Sequence, residues 1–284
     1  MVAAAALFST GGAAIKATDL SGLQVACLRS GIAAAALLAM LPAARRRWTG
    51  RTLLVGVAFA VTLILFVQAN KLTTAANTIF LQSTSPVYVV LLGPLLLKER
   101  VRRGDLAFLA VLGVGMSLFF VSSEAAVDTA TNPAAGNVLA LLSGVAWAFT
   151  IIGLRWLGRA GDGGEAPVAT VAGNAIACVV CLPFVLVDPG IRAADWATVA
   201  YLGVFQIGLA YVFLTRAMRT VGALEASLIL FVEPALNPVW AWLAHGETPA
   251  ALALVGGAII VGATAVLTVR RAAGSPQPDG RHAG

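Results

Sequence analysis

Residues 222–247 read GALEASLILFVEPALNPVWAWLAHGE, and the interpretation of the whole chain turns on them. The stretch is long enough to cross a bilayer, because about 20 apolar residues at 1.5 Å rise cover a hydrocarbon core of roughly 30 Å. Yet it holds Glu225, Glu233, Asn237, Pro234 and Pro238. Each proline removes a backbone donor, which leaves carbonyls near Leu230 and Pro234 without their usual partners. A carboxylate at mid-membrane costs about 2.5–3.5 kcal/mol, so Glu233 is expected to face protein or water. A broken helix with an acid at mid-depth is what carriers place beside their substrate.

The stretch has a counterpart. Residues 74–99 read TAANTIFLQSTSPVYVVLLGPLLLKE and align with it without a gap. Pro86 falls on Pro234 (234 − 86 = 148) and Glu99 on Glu247 (247 − 99 = 148). Ala75, Leu81 and Lys71 fall on Ala223, Ile229 and Arg219 at the same shift. An internal repeat has to be settled before any fold is assigned.

Composition places the chain in a membrane. Of 284 residues, 59% are hydrophobic and 11% charged, where a soluble domain carries roughly 25% charged residues. The net charge of +6 is explained by orientation in the bilayer, not by nucleic acid. Cys178 and Cys181 form a C-x-x-C in an apolar segment without a nearby histidine, as expected for helix packing. No metal or cofactor is expected.

Ten apolar segments run approximately over 2–16, 22–41, 52–69, 73–97, 104–121, 136–156, 167–187, 196–214, 222–244 and 250–269. The fold expected is an all-α integral membrane protein. The first segment, Val2–Ile15, covers only about 21 Å. No positive charge precedes it, so a first helix lacking its opening turns is preferred to a signal peptide. Basic clusters at 45–51, 98–103, 155–159, 216–219 and 270–281 gather 15 Lys and Arg, against Lys16, Lys71 and Arg192 on the other side. The positive-inside rule then puts both termini in the cytoplasm. The prolines lie in segments four and nine, so the repeat unit is five helices. Five is odd, and the second unit enters inverted, an arrangement that permits two gates about one central site. The tail 271–284 is polar and Pro/Gly-rich and is expected to be disordered.

Glu233 and Asn237 share a helix face with Leu230, and the 148 shift carries that face to Gln82, Ser85 and Val89, with Thr78 a turn earlier. Trp147, Gln206 and Tyr211 sit near mid-span and could line a pocket for an amphipathic solute. The substrate-binding set expected is therefore Glu233, Asn237, Gln82, Ser85, Trp147, Gln206 and Tyr211. The alternative is that Ser, Thr and Gln bond the carbonyls freed by proline, or join helices. Arg29 lies about a third of the way into segment two, open to snorkelling or to pairing with an acid. Glu225 reads as structural, at a helix start near Arg219. Small residues at Gly113/Ser117 and Ala258/Gly262 suggest a seam between halves or a dimer surface.

The P-x(12)-E spacing in both halves, Glu233–Pro234, Leu28–Arg29 and FSTGGAAIK at 8–16 resemble EamA-type members of the drug/metabolite transporter superfamily. The resemblance covers two units, 1–122 and 136–270, and departs where members usually carry Trp-Gly and this chain has Phe8–Ser9. It implies a ten-helix, inverted-repeat secondary carrier in the bacterial inner membrane. A membrane-embedded enzyme would want a nucleophile–base pair or ligand cluster, and no histidine or aspartate lies mid-span. No G-x-x-x-x-G-K-[ST] pattern occurs for nucleotide-driven pumping. The expected activity is export of a small amphipathic metabolite, with an amino acid as leading guess and lipophilic cations as the alternative. Glu233 could couple it to protons, in a monomer or homodimer.

Overall fold

A computed structural model describes residues 2–96, 107, 108, 110, 111, 113–115, 117, 118, 129–160, 164–187, 190–217 and 232–273. Every regular element among them is helical: α1 Val2–Ser9, α2 Gly11–Lys16, α3 Gly22–Met40, α4 Gly50–Leu72, α5 Ala75–Gln82 and α6 Ser85–Leu96. The second half supplies α7 Pro133–Ala160, α8 Glu165–Val187, α9 Ala193–Tyr201, a π-helical segment Leu202–Leu209, α10 Ala210–Ala217, α11 Val232–His245 and α12 Ala251–Ala273. A short 3₁₀ turn, Pro42–Arg45, follows α3.

Local chemistry sets several starts. Ser21 and Gln24 form a reciprocal capping box at α3, and Thr49 with Thr52 does the same at α4. Thr74 caps α5 by accepting from the Asn77 amide. Breaks are equally local. Segment four is interrupted at Ser83–Thr84, just before Pro86, where the ring would clash with the carbonyl of Gln82. Thr84 Oγ1 and Ser83 Oγ then donate to the carbonyls of Leu81 (2.6 Å) and Ile79 (2.7 Å). Segment one breaks at Thr10, whose hydroxyl lies 2.9 Å from Tyr201 Oη.

Five described helical spans are long and apolar enough to cross a membrane: Gly22–Met40, Gly50–Leu72, Pro133–Gly158, Glu165–Val187 and Ala193–Leu214. Leu54, Val179, Val180 and Leu186 are exposed on their outer faces, as lipid contact demands. Lipid tails are as apolar as leucine, so association of such helices rests on close packing. Thus α4 packs along α7 and α8, and α3 along α8 and the π segment. At Gly173 of α8 an added Cβ would lie 2.9 Å from the Gly56 carbonyl and 2.7 Å from the Phe59 ring, so α4 and α8 meet nearly backbone to backbone.

One end of the bundle is tied by polar groups. Lys16 Nζ pairs with Glu247 at 3.1 Å, both side chains being 3% exposed, and donates to the carbonyls of Thr73 (2.8 Å) and Thr129. The other Glu247 oxygen accepts from the Ala75 amide at 2.9 Å. Thr73 Oγ1 donates to Asn137 Oδ1 at 2.8 Å, and Asn77 Nδ2 reaches the same oxygen at 3.2 Å. Helices α2, α5 and α7 and the connecting segments at Thr73, Thr129 and Glu247 are joined in one network.

Of the two readings of Gly113/Ser117 and Ala258/Gly262, a seam between halves or a dimer surface, the described contacts bear on the seam alone. Among the described residues Gly113 and Gly262 have no neighbour within 4 Å of an added Cβ, and Ser117 is exposed. Contact comes through Gly115, where a Cβ would lie 3.0 Å from Ile260 and 3.2 Å from the Gly256 carbonyl. Cys27, Cys178 and Cys181 are free thiols packed between α3 and α8, with Cys27 Sγ 3.7 Å from Cys178 Sγ. The readings of Glu99, Arg219, Glu225 and Leu230, and of the tail from 274 onward, fall outside the described residues.

Candidate functional site

A cavity of about 380 Å³ lies between the halves of the chain. Five pairs of its lining residues stand 148 apart. They are Phe59 with Ile207, Leu63 with Tyr211, Phe66 with Leu214, Ser85 with Glu233, and Pro86 with Pro234. The shift read on segments four and nine therefore extends to segments three and eight, where identity between the halves is too low to announce it.

Six of the seven residues expected at the site line this cavity: Glu233, Gln82, Ser85, Trp147, Gln206 and Tyr211. The break before Pro86 turns Gln82 and Ser85 to the hollow, where Gln82 Nε2 also donates to Ser143 Oγ at 2.7 Å. Gln206 sits in the π segment, whose widened turn is a frequent functional device. Its amide nitrogen donates to the Phe8 carbonyl at 3.3 Å, while Oε1 is buried without a partner among the described residues. Tyr211 packs edge-on against Phe8, with ring centroids 5.4 Å apart, and Phe59 lies 6.0 Å from Trp147. Glu233 lies in the first described turn of α11.

Asn237 is not part of the lining. One turn further along α11, 1% exposed, it faces α2, where an added Cβ at Gly12 would lie 2.6 Å from Oδ1. Beside it Trp240 Nε1 donates to Ser9 Oγ at 2.9 Å, and His245 Nε2 lies 2.8 Å from the Ala13 carbonyl. Those contacts hold α11 against the broken first helix. Thr78 is not at the cavity either: its hydroxyl donates to the Thr74 carbonyl at 3.0 Å, the backbone-bonding alternative.

Arg29, open between snorkelling and pairing with an acid, does neither among the described residues. It is 2% exposed, lines the cavity, and forms no ion pair among the described residues. Phe8, Phe59, Thr62 and Phe66 also line the hollow without having been singled out. The 148 shift from Tyr211 would have led to the α4 face. For Phe8 no signal existed beyond its position near the break at Thr10. Among the described residues no group of three His, Cys, Asp or Glu could hold a metal ion. The described lining offers one cation, one acid, amides and hydroxyls on an aromatic wall.

Known proteins fall in with this architecture. The family model described as "EamA-like transporter family" matches residues 1–121 and 134–269. The chain is 28% identical over 218 residues to the "Pseudopaline exporter CntI" of Pseudomonas aeruginosa (strain UCBPP-PA14), covering 75% of this chain and 72% of that protein. It is 30% identical over 210 residues to "Uncharacterized transporter YdfC" of Bacillus subtilis (strain 168), covering 72% and 66%. A solved chain described as "Crystal structure of protein" superposes with TM-score 0.60 at 21% identity, covering 96% of each, a likeness of fold.

Proposed function

Because this chain belongs to the EamA-like transporter family, and so is a multi-pass membrane transporter, we propose that it exports a small amphipathic metabolite by alternating access. A zwitterionic amino acid is the leading substrate. The observation that carries the reading is the cavity itself, lined by five residue pairs at one constant shift of 148. Two inverted five-helix units, 1–122 and 136–270, would put equivalent faces on both sides of a central site, and the two prolines at equivalent depth. In this reading ten helices cross the bacterial inner membrane and both termini are cytoplasmic. The Lys16–Glu247 end then faces outward and is closed. The name of the Pseudomonas relative supports export as the direction.

Glu233 is the proposed coupling group. A carboxylate that is wet when one gate opens and drier when the other does can take up and release a proton in each cycle. Lipophilic cations are the second reading, favoured by an acid beside Phe59, Trp147 and Tyr211, a setting that suits cation–π contact.

The deciding experiment compares intracellular metabolites of deletion and overexpressing cells. Rising amino-acid pools on deletion are expected; a change confined to lipophilic cations would replace the substrate. Glu233→Gln in proteoliposomes separates the roles of the acid. Coupling without substrate contact predicts loss of proton-driven concentration with counterflow retained, and a coupling carboxylate that also holds the substrate ammonium predicts loss of both. Gradient-driven transport by the variant at wild-type rates across external pH would remove the coupling role.

A further inference from the structure

We propose that Arg29 is the anchor for a substrate carboxylate, so that the cavity recognises a dipolar ligand between Arg29 and Glu233; this rests on the transport reading above. The geometry begins with cost. A guanidinium stays charged in proteins, and a buried cation without a counter-ion is expensive. Arg29 is 2% exposed on α3, its Nε has no hydrogen-bond partner, and no carboxylate lies within ion-pair distance among the described residues. It is not aimed at lipid or at the bundle end but lines the cavity. A planar fork of donors left open towards a hollow matches a carboxylate, which it can bind in bidentate fashion.

The ligand is narrowed by what shares the hollow. Glu233 lines the same cavity, and a purely anionic solute would meet its charge when ionised. A ligand with one carboxylate and one ammonium satisfies both groups and leaves the loaded site neutral. Gln82, Ser85 and Gln206 add neutral polar contacts, and Trp147 and Tyr211 give an aromatic wall for the side chain. At about 380 Å³ the cavity has room for a single amino acid. Arg29 also breaks the repeat. At the same shift 29 + 148 = 177 is the buried Ala177, and among the described lining residues Arg29 is the one cation.

The test uses the full chain in detergent and in proteoliposomes. Modification of Arg29 by phenylglyoxal is followed by mass spectrometry in the presence of each common protein amino acid. Every amino acid that protects is paired with its decarboxylated amine and its deaminated acid; for L-phenylalanine these are 2-phenylethylamine and 3-phenylpropionate. Protection by the amino acid and not by the amine is expected, with the deaminated acid intermediate. Arg29→Lys should weaken binding of the protecting amino acid by about 10- to 100-fold, the worth of charge-assisted hydrogen bonds. Arg29→Gln should abolish discrimination between amino acid and amine while the amine still binds. No protection by any amino acid, equal protection by the amine, or equal protection by chloride or inorganic phosphate overturns the proposal. The transport reading fails separately. If binding follows the carboxylate but proteoliposomes show no saturable efflux, the anchor stands and the carrier falls. Saturable efflux that ignores the carboxylate does the reverse.

Discussion

At the tied end of the bundle, Lys16 and Glu247 lie 3.1 Å apart and spend their remaining valence on the Thr73 carbonyl and the Ala75 amide. At mid-depth, Arg29 and Glu233 line one cavity and make no ion pair among the described residues. Both regions remove charge from bulk water, yet only the first returns an internal partner for it. Paired and hydrogen-bonded, a buried charge ties helices together; facing a hollow, it is available to something that enters. The contrast also separates the two prolines' neighbours. Ser85 and Glu233 turn to the cavity, while Asn237, one turn on, is packed against Gly12.

The tied end offers the largest expected effects. Glu247→Ala strands Lys16 in a dry site, and about 3–5 kcal/mol of stability should be lost. Thermal unfolding in detergent reads this as a lower midpoint. Lys16→Met combined with Glu247→Leu removes both charges and should recover most of the loss. If the single variant unfolds like the wild type, the network is not a structural tie.

A smaller effect is expected where α2 packs against α11. Gly12→Ala places a methyl group 2.6 Å from Asn237 Oδ1 and 2.9 Å from the Ala75 Cβ, so α2 must shift. Overpacking of this kind costs about 1–3 kcal/mol. Asn237→Ala in the same chain should relieve part of it, which a double-mutant comparison would register. Simple additivity would mean that α2 moves as a whole.

Smallest is the single bond from Trp240 to Ser9. Trp240→Phe forfeits one hydrogen bond of 2.9 Å, worth about 1 kcal/mol, and leaves the Ser9 hydroxyl bonded to the Ala6 carbonyl. Because neither residue lines the cavity, ligand protection of Arg29 should be unchanged while the unfolding midpoint falls slightly. A changed protection pattern would mean that the break at Thr10 is coupled to the site.

How much could be read beforehand differs between the same regions. Glu233, Ser85 and Gln82 were legible because proline, polar residue and apolar run coincide, and because the 148 shift repeats the pattern. Trp147, Gln206 and Tyr211 were legible as polar or amphipathic groups at mid-span. Arg29 was visible but ambiguous: its depth permitted snorkelling, and only the packing of α3 against α8 and the π segment turns it inward. The Lys16–Glu247 pair was invisible as a pair. The residues are 231 positions apart, and each taken alone is an ordinary charge at a span end.

By itself, the sequence determined the membrane setting, the helical class and the internal shift, because hydropathy, charge placement and proline act locally and add along the chain. It also determined which residues were too polar to face lipid. Only the tertiary structure decided what those residues face. It turned Asn237 against Gly12 instead of the cavity, made a close contact with α12 at Gly115, matched Lys16 with Glu247, and left Arg29 at a hollow without a described partner. The physical reason is that a buried charge is acceptable in more than one setting, paired or open to a ligand, at the same local cost. Which setting it meets depends on groups brought from distant parts of the chain, and neither periodicity nor composition records their distance.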